Sequence, residues 1–224
     1  MTGRILDLSH AIEDGMITYP GLPVPRIGEH LSREASKAKY AAGTTFAISS
    51  IELVGNTGTY IDAPLHRFAE GADLASLPLE RIAGVPGAAI DARSAGRAIG
   101  PEAFSGIEVA GRAILFSTGW DAHWRTPRYG AGEHPYLTRA AAEALVRGGA
   151  ALVGIDSLNI DDASDGQRPA HTALLRAGIP ILEHLCRLSE LPPSGFRVHA
   201  VPAPWRGVTS FPVRAYAMLP DESA

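Results

Sequence analysis

Asp62, His66, His171 and Glu183 are the residues of this chain whose types and setting could do chemistry. Asp62 ends the apolar stretch Thr59-Tyr60-Ile61-Asp62-Ala63-Pro64, a costly place for a carboxylate with no partner. A cation, a proton or hydrogen-bond donors must therefore lie close to it. The plain alternative is a turn aspartate accepting backbone N–H groups ahead of Pro64. His66 follows four residues after Asp62, and an imidazole held beside a carboxylate suits a general base or a metal ligand. Glu183 closes the apolar run Ile179 to Leu182, and His171 opens the segment after Pro169-Ala170. Their plain readings are a strand end reaching solvent, with His184 next to it, and a helix-start side chain. Together the four offer two carboxylates and two imidazoles, a donor set suited to Zn²⁺ or Mn²⁺.

Asn56 and Tyr60 belong to the same stretch and could position or polarise a substrate carbonyl, with Tyr60 and His66 as an acid–base pair needing no metal. Trp120, with Trp124 and Tyr129, could wall an aromatic binding pocket, although such residues also serve as plain core.

These residues need a scaffold, and the turn-rich sequence describes one. Seventeen prolines and 24 glycines are spread along 224 residues, which implies many short elements. Strands are expected at Ile5 to Leu8, Thr44 to Val54, Val85 to Ala92 and Ala113 to Ser117. Further strands are expected at Ala150 to Asp156, Ile179 to Glu183, Phe196 to Pro202 and Val213 to Met218. Pro180 implies that its strand starts there or lies at a sheet edge. A helix is expected over Arg139 to Arg147, with Thr138 as N-cap and Gly148-Gly149 as the stop, and a second over Ala170 to Arg176, ending at Gly178. The sum is a single α/β domain across residues 1–224, built on a substantial mixed sheet.

Composition excludes several classes. With 46% hydrophobic and 20% charged residues the chain can bury a full core. A net charge of -4 gives no footprint for nucleic acid or an anionic membrane surface. The lone Cys186 follows an apolar run and reads as a packed core residue, so nothing calls for an oxidising compartment. Met1 to Asp7 lacks the apolar stretch of a leader or a membrane span. A cytoplasmic protein acting on a small molecule is the expectation.

The pattern Asn56-x-Gly58-Thr59-Tyr60-x-Asp62-x-Pro64-x-His66 resembles the kynurenine formamidase and isatin hydrolase superfamily of cyclase-like proteins. That family carries His-x-Gly-Thr-His-x-Asp-x-Pro-x-His. The resemblance extends over nearly the whole chain, through Asp7-Leu8-Ser9-His10, Tyr19-Pro20-Gly21, Thr118-Gly119-Trp120, Gly154-Ile155-Asp156-Ser157, His171 with Glu183, and Pro212-Val213-Arg214. It implies a mixed sheet of barrel-like character with flanking helices, assembled as homodimers or homotetramers. It also implies a hydrolase acting on a formamide, lactam or similar carbonyl with one or two divalent ions, Zn²⁺ or Mn²⁺. By this resemblance the first ion is held by both motif histidines and the aspartate, and the second by Asp62, His171 and Glu183. His66 matches the base or proton shuttle.

The departures fall on the first ion. Asn56 and Tyr60 stand where the family has its two histidines. An amide oxygen is a weak neutral ligand, and a phenol must ionise from a pKa near ~10 to bind strongly. The first site is expected to be missing or weakened and the second to keep its three ligands. The alternatives are a metal-independent cyclase, lyase or isomerase using Tyr60 and His66, and a non-catalytic binding homologue.

Overall fold

The computed structural model describes residues 3–220, so of the stretch read for a leader Met1 and Thr2 lie outside it. In chain order the first elements are β1 (Ile5–Asp7), β2 (Arg26–Leu31), α1 (Arg33–Ser36), β3 (Ile48–Glu52) and β4 (Tyr60–Asp62). There follow β5 (Val85–Asp91), β6 (Ala98–Ile99), β7 (Ala113–Ser117), β8 (Tyr136–Leu137) and α2 (Arg139–Arg147). Then come β9 (Leu152–Ile155), α3 (Pro169–Arg176), β10 (Ile181–Glu183), β11 (Ser194–His199), β12 (Ser210–Pro212) and β13 (Tyr216–Met218).

Nine of the strands form one curled, half-barrel sheet in the order β1-β13-β11-β5-β7-β9-β10-β4-β12. Its centre, β5-β7-β9-β10, is parallel and its flanks are antiparallel. Parallel strands need covered faces, and β7 and β9 are buried at every position. The two-residue alternation divides β7 between two cores. Ala113 and Leu115 pack with Leu6, Ile61, Leu182 and Phe196 on one face, whereas Ile114 and Phe116 pack with α2 and α3 through Leu145, Leu174 and Leu175 on the other.

The helices lie where their caps place them. Thr138 Oγ1 accepts the Ala141 N–H at 3.2 Å, and Gly148 closes α2. α3 begins one residue before its expected start, with Pro169 in the first turn, where no amide donor is needed. Pro180 stands just ahead of β10, but that strand is internal, between β9 and β4, and not at an edge. The proline's missing N–H falls outside the ladder, and its carbonyl still accepts from Val153 at 3.2 Å.

Three strand expectations are corrected. Thr44 to Val54 yields only β3, which pairs with β2 as a separate two-stranded arm and is exposed at every residue. Its apolar Ile48 and Ile51 are 48% and 64% exposed, so its β-branched composition reflects propensity and not core burial. Val213 to Met218 is broken, with pairing carried by β12 before it and β13 within it. The segment Phe196 to Pro202 is shifted to Ser194–His199. No helix among the described residues is long and apolar enough to cross a membrane.

Candidate active site

Strand register builds the site. In β4 the side chains of Tyr60 and Asp62 share one face, while Ile61 joins the core on the other. β10 pairs with β4 so that Glu183 lies opposite Tyr60, and β12 pairs so that Ser210 lies opposite Asp62. Two antiparallel ladders therefore deliver Tyr60, Asp62, Glu183 and Ser210 to one surface. Gly55 permits the approach of β12, since a Cβ there would stand 2.2 Å from the Ser210 carbonyl oxygen. Gly58, at φ +64°, makes the turn into β4 in a conformation that favours glycine. After β4, Pro64 starts a short 3₁₀ turn that ends at His66.

Asp62 is fully buried and takes no backbone N–H among the described residues, which sets aside the turn-aspartate reading. Its Oδ1 accepts the Ser210 hydroxyl at 2.5 Å and, more weakly, the Asn56 amide at 3.5 Å. Its Oδ2 is buried and has no hydrogen-bond partner among the described residues. His171 Nε2 lies 3.5 Å from that oxygen and 3.6 Å from Glu183 Oε1. The other ring nitrogen of His171, Nδ1, is held 2.7 Å from Asp161 Oδ2. Asp161 also accepts the N–H groups of Ala170 and His171 at 2.6 and 3.0 Å, tying the start of α3 to the same carboxylate.

Glu183 does not reach solvent, and neither does His184 beside it, because β10 is internal. Its Oε1 accepts the Ile160 N–H at 2.6 Å and its Oε2 accepts the Tyr60 hydroxyl. His66 is partly open, with Nδ1 3.0 Å from Ser210 Oγ and 3.9 Å from Asp62 Oδ1.

Three buried carboxylates, Asp62, Asp161 and Glu183, thus surround one imidazole. Burial alone drives His171 toward its neutral form, but the hydrogen bond to Asp161 and the facing Asp62 and Glu183 outweigh it and raise the group to about 10. Burial would also raise Asp62, yet the His171 and His66 rings and the Ser210 hydroxyl hold it below its ordinary value. Burial, reinforced by the charge of Asp62, pushes Glu183 up against the pull of His171. Burial and the neighbouring Glu183 drive Tyr60 well above the usual phenol range, so it remains a neutral donor and not an anionic ligand.

Ligand atoms of Asp62, His66 and His171 all lie within 4.8 Å of one another. The bare Oδ2 of Asp62, two imidazoles and the surplus of buried negative charge fit a divalent cation. The trio Asp62, His171 and Glu183 is also brought together, although both Glu183 oxygens are already engaged.

The site opens into a cavity of about 280 Å³ lined by Asn56, Tyr60, His66, His171 and Glu183, with Tyr19 and Leu22 among its remaining walls. Trp120 is not among the lining residues. It is buried with Tyr129 and Leu158 and donates through Nε1 to the Tyr129 carbonyl at 3.1 Å. Trp124 and Tyr129 pack edge-to-face behind the site, around His184. Cys186 is buried, and burial pushes its thiol up to about 12, a packed residue and no nucleophile.

Ser210 and Asp161 are the site residues that the sequence reading missed. Ser210 lies 148 positions from Asp62, and only the β12 register unites them. Asp161 carried one available signal, an acidic residue ten positions before His171 and close ahead of a helix start.

Comparison with known proteins agrees with this scaffold. A family described as "Putative cyclase" matches residues 6–162. The kynurenine formamidase of Salinibacter ruber is 28% identical over 216 residues, covering 94% of this chain and 95% of its own. The crystal structure of an isatin hydrolase bound to the product analogue thioisatinate shares the fold, with a TM-score of 0.82 and 21% identity over 98% of this chain and 94% of that one. A structure described as a potential metal-dependent hydrolase with cyclase activity has a TM-score of 0.79 and 25% identity, covering 97% and 98%. With the family pattern spanning most of its length, this chain belongs to the putative cyclase family.

Proposed function

We propose that this protein hydrolyses an amide, a lactam or a related ester carbonyl in a small molecule, using a divalent cation held by Asp62 and His171, with His66 left free beside it as the base. The observation that carries this reading is the unpartnered Oδ2 of Asp62, buried beside His171 Nε2 at 3.5 Å. When bound there, Zn²⁺ or Mn²⁺ supplies Lewis-acid polarisation of a carbonyl and a nucleophile at neutral pH. Glu183 faces the same ring at 3.6 Å and adds negative charge beside the cation's place.

The protein's own groups set the proton inventory. Ser210 has one hydroxyl proton, and the ionised Asp62 can only accept, so that proton lies toward Oδ1. The Ser210 oxygen then accepts from His66 Nδ1–H, which leaves Nε2 as the nitrogen with a free lone pair. His66 is thereby set to take a proton from an attacking water and return it to the leaving nitrogen. Asn56 lines the cavity as a neutral donor for the carbonyl oxygen. The Tyr60 hydroxyl donates its hydrogen bond to Glu183, which favours a structural brace over a free acid for the substrate.

The test is hydrolysis of formanilide by the purified protein with added Zn²⁺ or Mn²⁺. The reading expects turnover that His66→Ala reduces by 10² or more. Turnover unchanged in His66→Ala contradicts it.

A further inference from the structure

Arg168, at the N-cap position of α3, offers its own helix no side-chain acceptor. Asp161 supplies one from outside the helix. Its Oδ1 accepts the Ala170 N–H at 2.6 Å and its Oδ2 the His171 N–H at 3.0 Å. Capping accounts for those two bonds but not for a third, between His171 Nδ1 and Asp161 Oδ2 at 2.7 Å. Both carboxylate oxygens already accept a backbone N–H, so the ring is the donor in this contact. Nδ1 therefore carries a proton, and Nε2 is the nitrogen turned to Asp62 Oδ2 at 3.5 Å and Glu183 Oε1 at 3.6 Å.

Asp161 is itself fixed by groups that do not belong to α3. Its N–H donates to Asn159 Oδ1 at 3.0 Å, and its carbonyl oxygen lies 3.0 Å from Nε2 of the buried His134. The preceding Ile160 gives its N–H to Glu183 Oε1 at 2.6 Å and accepts the Leu137 N–H at 2.8 Å. The loop is thus tied to β8 and β10, and the carboxylate is held independently of the helix it caps. A helix cap alone needs no buried carboxylate, since a serine or asparagine serves as well at less desolvation cost. What the carboxylate adds is a strong acceptor for Nδ1–H, which fixes ring orientation and makes Nε2 a more basic metal ligand.

We propose that Asp161 is a positioning residue: it holds His171 with Nδ1 protonated and Nε2 aimed at Asp62, and so sets the affinity for a divalent cation that it does not touch. The affinity half rests on the hydrolase reading and its cation, whereas the ring's orientation can be measured on metal-free protein. Asp161→Asn and Asp161→Ser each keep an acceptor for the helix cap and remove the carboxylate. These two variants, His171→Gln and the double variant Asp161→Asn with His171→Gln are compared with the natural full chain. The readouts are the Zn²⁺ dissociation constant against a competing chelator, the imidazole N–H signals in NMR spectra, and urea unfolding of the metal-free proteins.

The natural chain is expected to show a His171 Nδ1–H signal protected from solvent exchange, assigned by its loss in His171→Gln and retained when Zn²⁺ is added. Asp161→Asn and Asp161→Ser should lose that protection and bind Zn²⁺ tenfold or more weakly while still unfolding cooperatively. Adding Asp161→Asn to His171→Gln should weaken binding no further, because Asp161 acts through the ring. Unchanged Zn²⁺ affinity in both Asp161 variants overturns the proposal and leaves the hydrolase reading standing. A loss of the same size in the His171→Gln background overturns it too, as does the absence of a protected Nδ1–H signal from the natural chain, a result that needs no Asp161 variant to fold. A protected signal that depends on Asp161, with no Zn²⁺ bound by the natural chain, supports the ring's positioning and overturns the affinity half together with the cation of the hydrolase reading.

Discussion

Ser210 stands directly across the β4–β12 ladder from Asp62, and its hydroxyl lies 2.5 Å from Asp62 Oδ1 and 3.0 Å from His66 Nδ1. One hydroxyl therefore fixes a carboxylate and an imidazole relative to each other. Ser210→Ala removes the acceptor for His66 Nδ1–H and frees the ring to turn or change tautomer. The expected result is a fall in kcat of tenfold or more with little change in KM, partly restored by Ser210→Thr, read by steady-state kinetics on a hydrolysed amide. An unchanged kcat would remove Ser210 from the account.

Gly55 controls the same arrangement from the backbone. A methyl group there would meet the Ser210 carbonyl oxygen at 2.2 Å, and main chain cannot yield as a flexible side chain does. Gly55→Ala should lose about 1–3 kcal/mol of stability, the usual cost of overpacking, and should lose activity with it. Urea unfolding alongside kinetics checks both, and a variant with native stability and rate would show that β12 has room to shift.

Asn56 and Tyr60 bear on which formamides are accepted. With a neutral amide and an un-ionised phenol where the family pattern has two histidines, hydrolysis of aryl formamides, N-formylkynurenine among them, is expected to be slow even with added divalent metal. Restoring the imidazoles with Asn56→His and Tyr60→His should raise metal affinity, measured by titration against a chelator. Robust N-formylkynurenine hydrolysis by the natural sequence would contradict the first expectation, and unchanged affinity in the double variant the second.

The route to this site was only partly legible in the sequence. Asp62, Glu183 and the helix over Arg139 to Arg147 were readable because burial of a carboxylate and helix capping are local facts. The joining of Asp62 to Ser210 was not, since it depends on register between strands far apart in the chain. The strand expected over Thr44 to Val54 forms only over Ile48–Glu52, paired with β2, a strand the sequence reading did not include, because composition records propensity and not pairing. Trp120 could have faced either a ligand or the core, and only packing against Tyr129 and Leu158 decides.

His10 supplies a pH dependence separate from the site. It stacks on Trp124 at 4.0 Å, its Nε2 is buried without a partner among the described residues, and burial lowers the group from 6.5 to about 4. Above pH 6.5 the ring is neutral in folded and unfolded chains and contributes nothing to the difference. As pH falls from 6.5 toward 4 the unfolded chain takes up the proton first, so stability declines over that window and levels off below it. The slope is bounded by about 1.4 kcal/mol per pH unit and lies below that bound because water still reaches part of the ring. His10→Phe keeps an aromatic stack and should flatten this slope in urea unfolding at pH 7, 6 and 5. A slope identical to that of the natural sequence would show that His10 takes up its proton equally in the folded and unfolded chains and is not the source of the dependence.

Metal content and hydrolysis, measured together on protein purified without chelator, test the central claim most directly. The account predicts about one Zn²⁺ or Mn²⁺ per site, lost along with formanilide hydrolysis in Asp62→Ala and in chelator-treated protein, and regained on adding the ion to the latter. Full hydrolysis by metal-free protein, or a bound ion undisturbed by Asp62→Ala, would contradict it.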